Sequence, residues 1–320
     1  MIAEKGQAGW EQKWRDGYKH VLNELLNTPW DPRDDLKILQ DTCDLHVHAT
    51  SGRIDATPLA IQASAAGQKA IVLKSYHSLT MEPARMAQEV VNAWAEEQKL
   101  RPVKVFGGIA LGPLFGGINP YAVGLAIKFG AKCVWLPTVT AAGHLMKEGM
   151  SKEEAIKKGG YVLKGDSLIP EIIDILNMVS EADIILSLGH LTIEEMFAVA
   201  ETAKSIGIKK IIEDHPHLGC VDVNLENQKK LVKLGVYLNH GFATFTPLFS
   251  GAIHIQRAAD EIKEVGAEHC TLCTDTGQVF NPPPPESLRS FIRHLMVCGV
   301  STEEIDVMCR KNPAKLLGIE

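Results

Sequence analysis

From residue 43 onward the chain alternates short apolar runs with amphipathic segments, and it does so eight times. The apolar runs are expected as strands at 43–48, 69–75, 103–111, 132–139, 183–188, 209–213, 236–240 and 270–275. They are almost continuously apolar, which is the pattern of strands buried on both faces of a parallel sheet. Helices are expected between them, the first at 57–66, opened by Thr57-Pro58 and stopped by Gly67. Eight such units predict an α/β chain folded as a (β/α)8 TIM barrel, whose functional residues lie at the C-terminal ends of the strands. A doubly wound open sheet would need a glycine fingerprint after the first strand, where the chain reads His48-Ala49-Thr50-Ser51-Gly52-Arg53.

Ahead of the barrel, residues 10 to 40 carry Trp10, Trp14, Tyr18, Val21 and Leu25 at roughly helical spacing. The chain therefore divides into an N-terminal helical extension, residues 1–42, and a barrel domain, residues 43–320. Helices are also expected at 286–298 and 302–317 after the last strand. The longest connection, residues 140 to 170, shows no clear period, and connections of that length tend to be functional or disordered. This insertion and the N-terminal helix are the expected places for a lid or a contact between subunits of a homo-oligomer.

The net charge of −6, without any basic run, argues against nucleic acid as a partner. No apolar stretch is long enough to span a bilayer, and no signal-peptide core is visible. Seven cysteines, an odd number, in a chain without an export signal suggest reduced thiols and a cytoplasmic location. Cys270 and Cys273 sit three apart on a strand, so they face opposite sides and make a poor redox or metal pair.

Of the 12 histidines, seven fall at or just beyond strand ends. His46 and His48, two apart on the first strand, face one way while Leu45 and Val47 pack the other. The second strand ends in Lys74, with His77 beyond it. The fifth leads to His190, the sixth to His215 and His217, the seventh to Asn239 and His240, and the eighth to Asp275, with Gln278 three residues later. Neutral imidazoles with a carboxylate suit zinc, and also manganese, iron or nickel. A divalent ion there lowers the pKa of bound water, and Asp275 is placed to take its proton and pass it on. Lys74 is costly to bury unpaired, so it is expected to serve as a metal ligand, carboxylated or not, or as a cation for substrate, with a plain structural ion pair as the alternative. His217, Asn239, His240 and Gln278 are candidate substrate contacts. His20, His144, His254, His269 and His294 are expected to be surface or structural.

His46-x-His48, His190, His215 and Asp275 together resemble the ligand pattern of the amidohydrolase superfamily of metal-dependent hydrolases. The closing Asn312-Pro313-Ala314-Lys315-Leu316-Leu317-Gly318 is similar to the tail of that superfamily. More closely, Ala70-Ile71-Val72-Leu73-Lys74-Ser75, Gly189-His190-Leu191-Thr192, Asp214-His215-Pro216 and Thr274-Asp275-Thr276-Gly277-Gln278 resemble an uncharacterised amidohydrolase-related family over most of residues 43–320. The resemblance implies one or two divalent ions, held by His46, His48, His190 and Asp275 with His215, Lys74 and His77 available for a second. It implies hydrolysis of an amide or cyclic amide C–N bond in a small molecule, with Asp275 as general base and acid. Strand four departs from the superfamily pattern: Val134-Trp135-Leu136-Pro137 has no lysine or glutamate to bridge two metals, and Lys74 is the obvious substitute. His77 is also similar to a histidine of the PHP-type phosphoesterases. A lactone or phosphoester hydrolase, or a decarboxylase or other lyase working with one metal, uses the same residues. A non-enzymatic ligand-binding barrel is the third reading.

Overall fold

The structure, a computed structural model, describes residues 37–49, 54–246 and 254–320. The helix expected over residues 10 to 40 lies almost wholly outside them.

Among the described residues, eight parallel strands follow one another around a closed barrel. They are β1 (Cys43–His48), β2 (Ala70–Lys74), β3 (Lys104–Phe106 and Gly108–Ala110), β4 (Cys133–Trp135), β5 (Ile185–Ser187), β6 (Ile211–Asp214), β7 (Val236–Gly241) and β8 (Cys270–Cys273). Strand β3 is divided at Gly107, its first part pairing with β2 and its second with β4. The seam between β1 and β8 is closed by backbone bonds from His48 N to Thr276 O, 2.8 Å, and from Asp275 N to His46 O, 2.9 Å. The expected eightfold alternation is therefore the observed architecture.

Alternation along each strand separates two cores. Cys43, Leu45, Ala70, Val72, Ala110, Cys133, Trp135, Ile185 and Ile212 fill the barrel interior. Ile71, Leu73, Val134, Leu186, Leu238 and Leu272 point outward to the helices. Strand β1 breaks this rule. Asp44 pairs with Ile71 and Val47 with Leu73, so Leu45 and His46 together oppose the single residue Val72. This bulge turns Leu45 into the interior cluster, beside the histidines rather than opposite them, and only Val47 packs outward as expected.

The surrounding helices are α1 (Ala56–Ala65), α2 (Met81–Gln98), α3 (Pro120–Lys128), α4 (Ala142–Lys147), α5 (Lys152–Lys158), α6 (Pro170–Ala182), α7 (Ile193–Ile206), α8 (Leu225–Lys233), α9 (Gln256–Val265), α10 (Pro284–Val297), α11 (Thr302–Asp306) and α12 (Asn312–Leu317). None is long and apolar enough to cross a membrane. The insertion after β4 is ordered as α4, α5 and a two-residue-per-strand hairpin, Leu163–Lys164 with Ser167–Leu168. Elements that short leave no readable period, which is why the sequence shows only an irregular stretch there.

The C-terminal segment closes the N-terminal end of the barrel. Ala314, Leu316 and Leu317 join the interior cluster, and Asn312 Nδ2 donates to the carbonyls of Ala267, Glu268 and Cys270. The expected continuous helix over 302–317 contains a π-helical turn, Val307–Lys311, just before Pro313. Proline has no N–H to give to the preceding turn, and the widened turn accommodates its ring.

Candidate metal centre

The bulge in β1 places His46 and His48 on the inner wall, and the end of β8 brings Asp275 across the seam to both. His48 Nε2 lies 2.9 Å and His46 Nε2 3.2 Å from the same oxygen, Asp275 Oδ1. These ligand-type atoms are mutually close enough to hold one ion, and all three residues are buried. The other face of His46 is fixed by Asp214, whose Oδ1 is 3.1 Å from His46 Nδ1. Asp214 in turn accepts from Ser187 Oγ at 2.7 Å and from Asn239 Nδ2 at 2.6 Å. Carboxylates that orient ligand imidazoles in this way are a common feature of metal sites. Cys273 forms a further close group with His46 and Asp214, while Cys270 belongs to the outer core, so the two cysteines do face opposite sides.

Two backbone strains mark the same place. His215 has φ of 40° and Asp275 φ of 52°, both in the left-handed region at a strand end. Such conformations cost about 1 kcal/mol for non-glycine residues and cluster at functional sites. The turn at His215 lets Asp214 and His215, adjacent in sequence, both face the barrel mouth. Gly277 makes the seam possible: with φ of +130°, a Cβ there would stand 1.8 Å from His48 O.

Burial and the facing carboxylates act in opposite directions on the imidazoles: against burial and Lys74, Asp214 and Asp275 raise His46 above its usual value, so a metal ion would take the place of a proton there. Burial pulls His48 down to about 3 and His215 to about 4 despite the opposing pull of Asp275. Both are therefore neutral imidazoles at neutral pH, with a lone pair to give. Burial resists ionisation of Asp275, yet His46 and His48 outweigh it and hold the carboxyl well below the usual range. Lys74 is also in the pocket wall, fully buried. Its Nζ has no hydrogen-bond partner and sits 5.4 Å from the Tyr76 ring centroid and 5.7 Å from that of Trp135. Burial lowers its pKa against the attraction of Asp214 and Asp275. Strand β4 contributes Trp135, 6.0 Å from the His46 ring, and no carboxylate.

His190 is not one of the three residues of that close group. Its Nδ1 lies 2.7 Å from His144 Nδ1 and 3.6 Å from Cys220 Sγ, and these three form a second close group. The His215 ring lies between the groups, 5.6 Å from His46 and 5.0 Å from His190. His190 Nε2, buried and without a hydrogen-bond partner among the described residues, stays available on the side of the ring away from this group, while His144, expected to be surface or structural, faces His190 Nδ1.

The remaining candidates fall elsewhere. His77 is exposed, its ring edge-on to Tyr76, and joins none of the ligand groups. Asn239 faces the interior, but its amide is committed to Asp214 and to Thr271 Oγ1 beneath the site. His240 follows it and therefore points outward, stacked on His217 at 5.2 Å. His217 Nε2 is 2.6 Å from Glu261 Oε2 on α9, so this pair sits in the helix layer rather than against a substrate. Gln278 bridges Asp275 O and Asn281 within its own loop. A cavity of about 530 Å³ lined by Asp41, Lys69, Arg101 and Arg310 opens at the opposite, N-terminal end of the barrel.

The model of a family of unknown function, DUF6282, matches residues 41–239. The chain belongs to that family. The DUF6282 match covers β1 through most of β7 and ends before Asp275. No curated protein sequence matches. Among solved structures, an amidohydrolase from Pseudomonas aeruginosa superposes with a TM-score of 0.59 at 11% identity, covering 88% of this chain and 98% of its own. The dipeptidase AC, a metallopeptidase, gives 0.55 at 11% identity, with 87% and 98% covered. An N-acetyl-D-glucosamine-6-phosphate deacetylase from Mycobacterium smegmatis gives 0.52 at 12% identity, with 88% and 76% covered. This DUF6282 chain thus has the fold of those enzymes, and the resemblance to the amidohydrolase superfamily read from its motifs extends to its architecture.

Proposed function

We propose that this chain is a metal-dependent hydrolase that cleaves an amide or cyclic amide C–N bond of a small molecule. The observation that carries the reading is the convergence of His46 Nε2, His48 Nε2 and Asp275 Oδ1 at the mouth of the barrel, with Asp214 behind His46. Two imidazoles and a carboxylate fit zinc, manganese, iron or nickel. A divalent ion held by them supplies a Lewis acid and a water of lowered pKa. Asp275, ionised, accepts the water's proton and returns it to the departing nitrogen. His48 and His215 stay neutral and do not compete for that proton. Lys74 offers a cation, unencumbered by hydrogen bonds, to an anionic group of the substrate. Enzymes sharing the fold are named as a dipeptidase, a deacetylase and a 2-pyrone-4,6-dicarboxylic acid hydrolase, so the shared fold supports hydrolysis, and the first two of these names favour a C–N bond while the third keeps a lactone as the alternative.

Lys74 also supports the second reading, a decarboxylase, since a buried ammonium suits a substrate carboxylate that leaves as carbon dioxide. The test is elemental analysis of protein purified without chelator, followed by incubation with panels of N-acyl amino acids, cyclic amides and aromatic carboxylic acids. Bound metal and amine release are expected. Carbon dioxide release without amine would favour the lyase, and metal-free, inactive protein that stays so after loading would overturn both. Lys74→Ala is expected to keep its metal and raise KM; loss of an ion would make Lys74 a ligand.

A further inference from the structure

The geometry points to a separate zinc-type metal site built by His144, His190 and Cys220, in which the insertion after β4 and the loop after β6 supply ligands that no barrel strand provides. The proposal rests on the metal-dependent reading only in sharing His190's neighbour, His215, and it fails or stands on its own measurement.

Three observations carry it. The donor atoms converge: His190 Nδ1 is 2.7 Å from His144 Nδ1 and 3.6 Å from Cys220 Sγ. Zinc bonds of about 2.1 Å to nitrogen and 2.3 Å to sulfur in tetrahedral geometry require N···S separations of roughly 3.6 Å, and N···N separations of roughly 3.4 Å. The Cys220 sulfur is already at that spacing from His190, and the two rings must part by about 0.7 Å.

The outer nitrogen of His144 is also occupied as a metal ligand's would be. Its Nε2 is 3.2 Å from Glu148 Oε1, one turn along α4, which turns Nδ1 toward His190. A carboxylate behind a ligand histidine fixes both ring orientation and tautomer.

Finally, the insertion is docked rather than hung over the mouth. A Cβ on Gly143 would stand 2.6 Å from His190 O, so α4 presses its backbone against the His190 loop in a way only glycine allows. Ala142 N donates to Gly160 O, and Val162 N donates to Glu195 Oε1 on α7. His144 is therefore delivered by a fixed scaffold.

Among the described residues no fourth His, Cys or carboxylate joins the group, and His144 and Cys220 are only partly buried. Three ligands with a position open to solvent are the arrangement of catalytic rather than structural zinc sites. The thiolate selects against magnesium, calcium and manganese. On binding, the Cys220 thiol loses its proton to solvent and the sulfur forms the metal bond.

The test uses the full chain, freed of metal and reloaded with cobalt(II) or zinc. Two ions per chain are expected, with a near-ultraviolet thiolate-to-cobalt absorption. Cys220→Ser and His144→Ala should each lose about one ion, and Cys220→Ser should lose the absorption. His48→Ala should keep the absorption while losing the other ion. Thermal melting of each apo variant separates misfolding from lost ligation, and zinc should slow alkylation of Cys220 in the wild type. Unchanged stoichiometry in Cys220→Ser and His144→Ala, or a cobalt form without the thiolate band, would overturn the site. Retention of all metal by His48→Ala would instead overturn the first centre.

Discussion

The Nδ1 of His46 lies 3.1 Å from Asp214 Oδ1, and that contact determines which nitrogen of the ring is turned to Asp275. Asp214 is itself pinned by Ser187 on β5 and Asn239 on β7. Orientation of one imidazole on β1 is thus set by three other strands.

It follows that Asp214→Asn leaves every proposed ligand of the first ion in place and still weakens the site. An amide does not hold the Nδ1–H of His46 as a carboxylate does, and loss of such orienting partners typically costs 10- to 100-fold in metal affinity. Competition titration against a chromogenic chelator should show a decrease of about that size. An affinity equal to wild type would remove Asp214 from the site.

That relationship was not legible in the sequence, whereas the barrel was. The alternation survives inspection because β2, β4 and β5 are apolar on both faces, and the interior and exterior cores follow the two-residue period. The order of residues in Glu213-Asp214-His215-Pro216-His217 does not reveal which of them turns inward, because the left-handed backbone at His215 resets the period. The bulge at Leu45-His46 is equally silent, having no glycine or proline to mark it. His144 lies in α4 and Cys220 in the loop after β6, both away from any strand end, so a search confined to strand ends passes over them. Trp135 was visible only as the residue that fails to be a ligand.

The His217–Glu261 pair carries a second expectation, about stability rather than catalysis. Glu261 accepts from Gln228 Nε2 and Arg257 Nε as well as facing His217. Burial opposes its ionisation, but these partners outweigh it and take its pKa from 4.5 down to about 2. A carboxyl held lower in the folded than in the unfolded chain contributes stability that is fully present above pH about 4.5 and is lost as the pH falls toward about 2. Arg257 is one-third exposed, so the contribution is on the order of 2 kcal/mol after screening. In urea denaturation, Glu261→Gln should be less stable than wild type by about that amount at pH 7, and the gap should close between pH 4.5 and 2. A gap that stays constant with pH would exclude the ionised carboxylate as its source.

Lys74 separates stability from function most sharply. Its ammonium is 1% exposed, lacks a hydrogen bond among the described residues, and faces two aromatic rings and the more distant charges of Asp214 and Asp275. A buried charge so poorly paired is a cost to the fold: exchanging a whole buried ion pair for apolar residues is often neutral or stabilising by about 1–4 kcal/mol, whereas removing one member of a well-made pair costs about 3–5 kcal/mol, and Lys74 makes no such pair. Lys74→Met should therefore raise the unfolding midpoint of the metal-free chain while weakening substrate binding in the loaded one. Such a trade places the lysine where selection keeps it for what it binds rather than for what it holds together. Denaturation of the metal-free variant decides the matter. A midpoint lower than wild type would mean that Lys74 is a structural partner of Asp214 and Asp275, and its claim on the substrate would lapse.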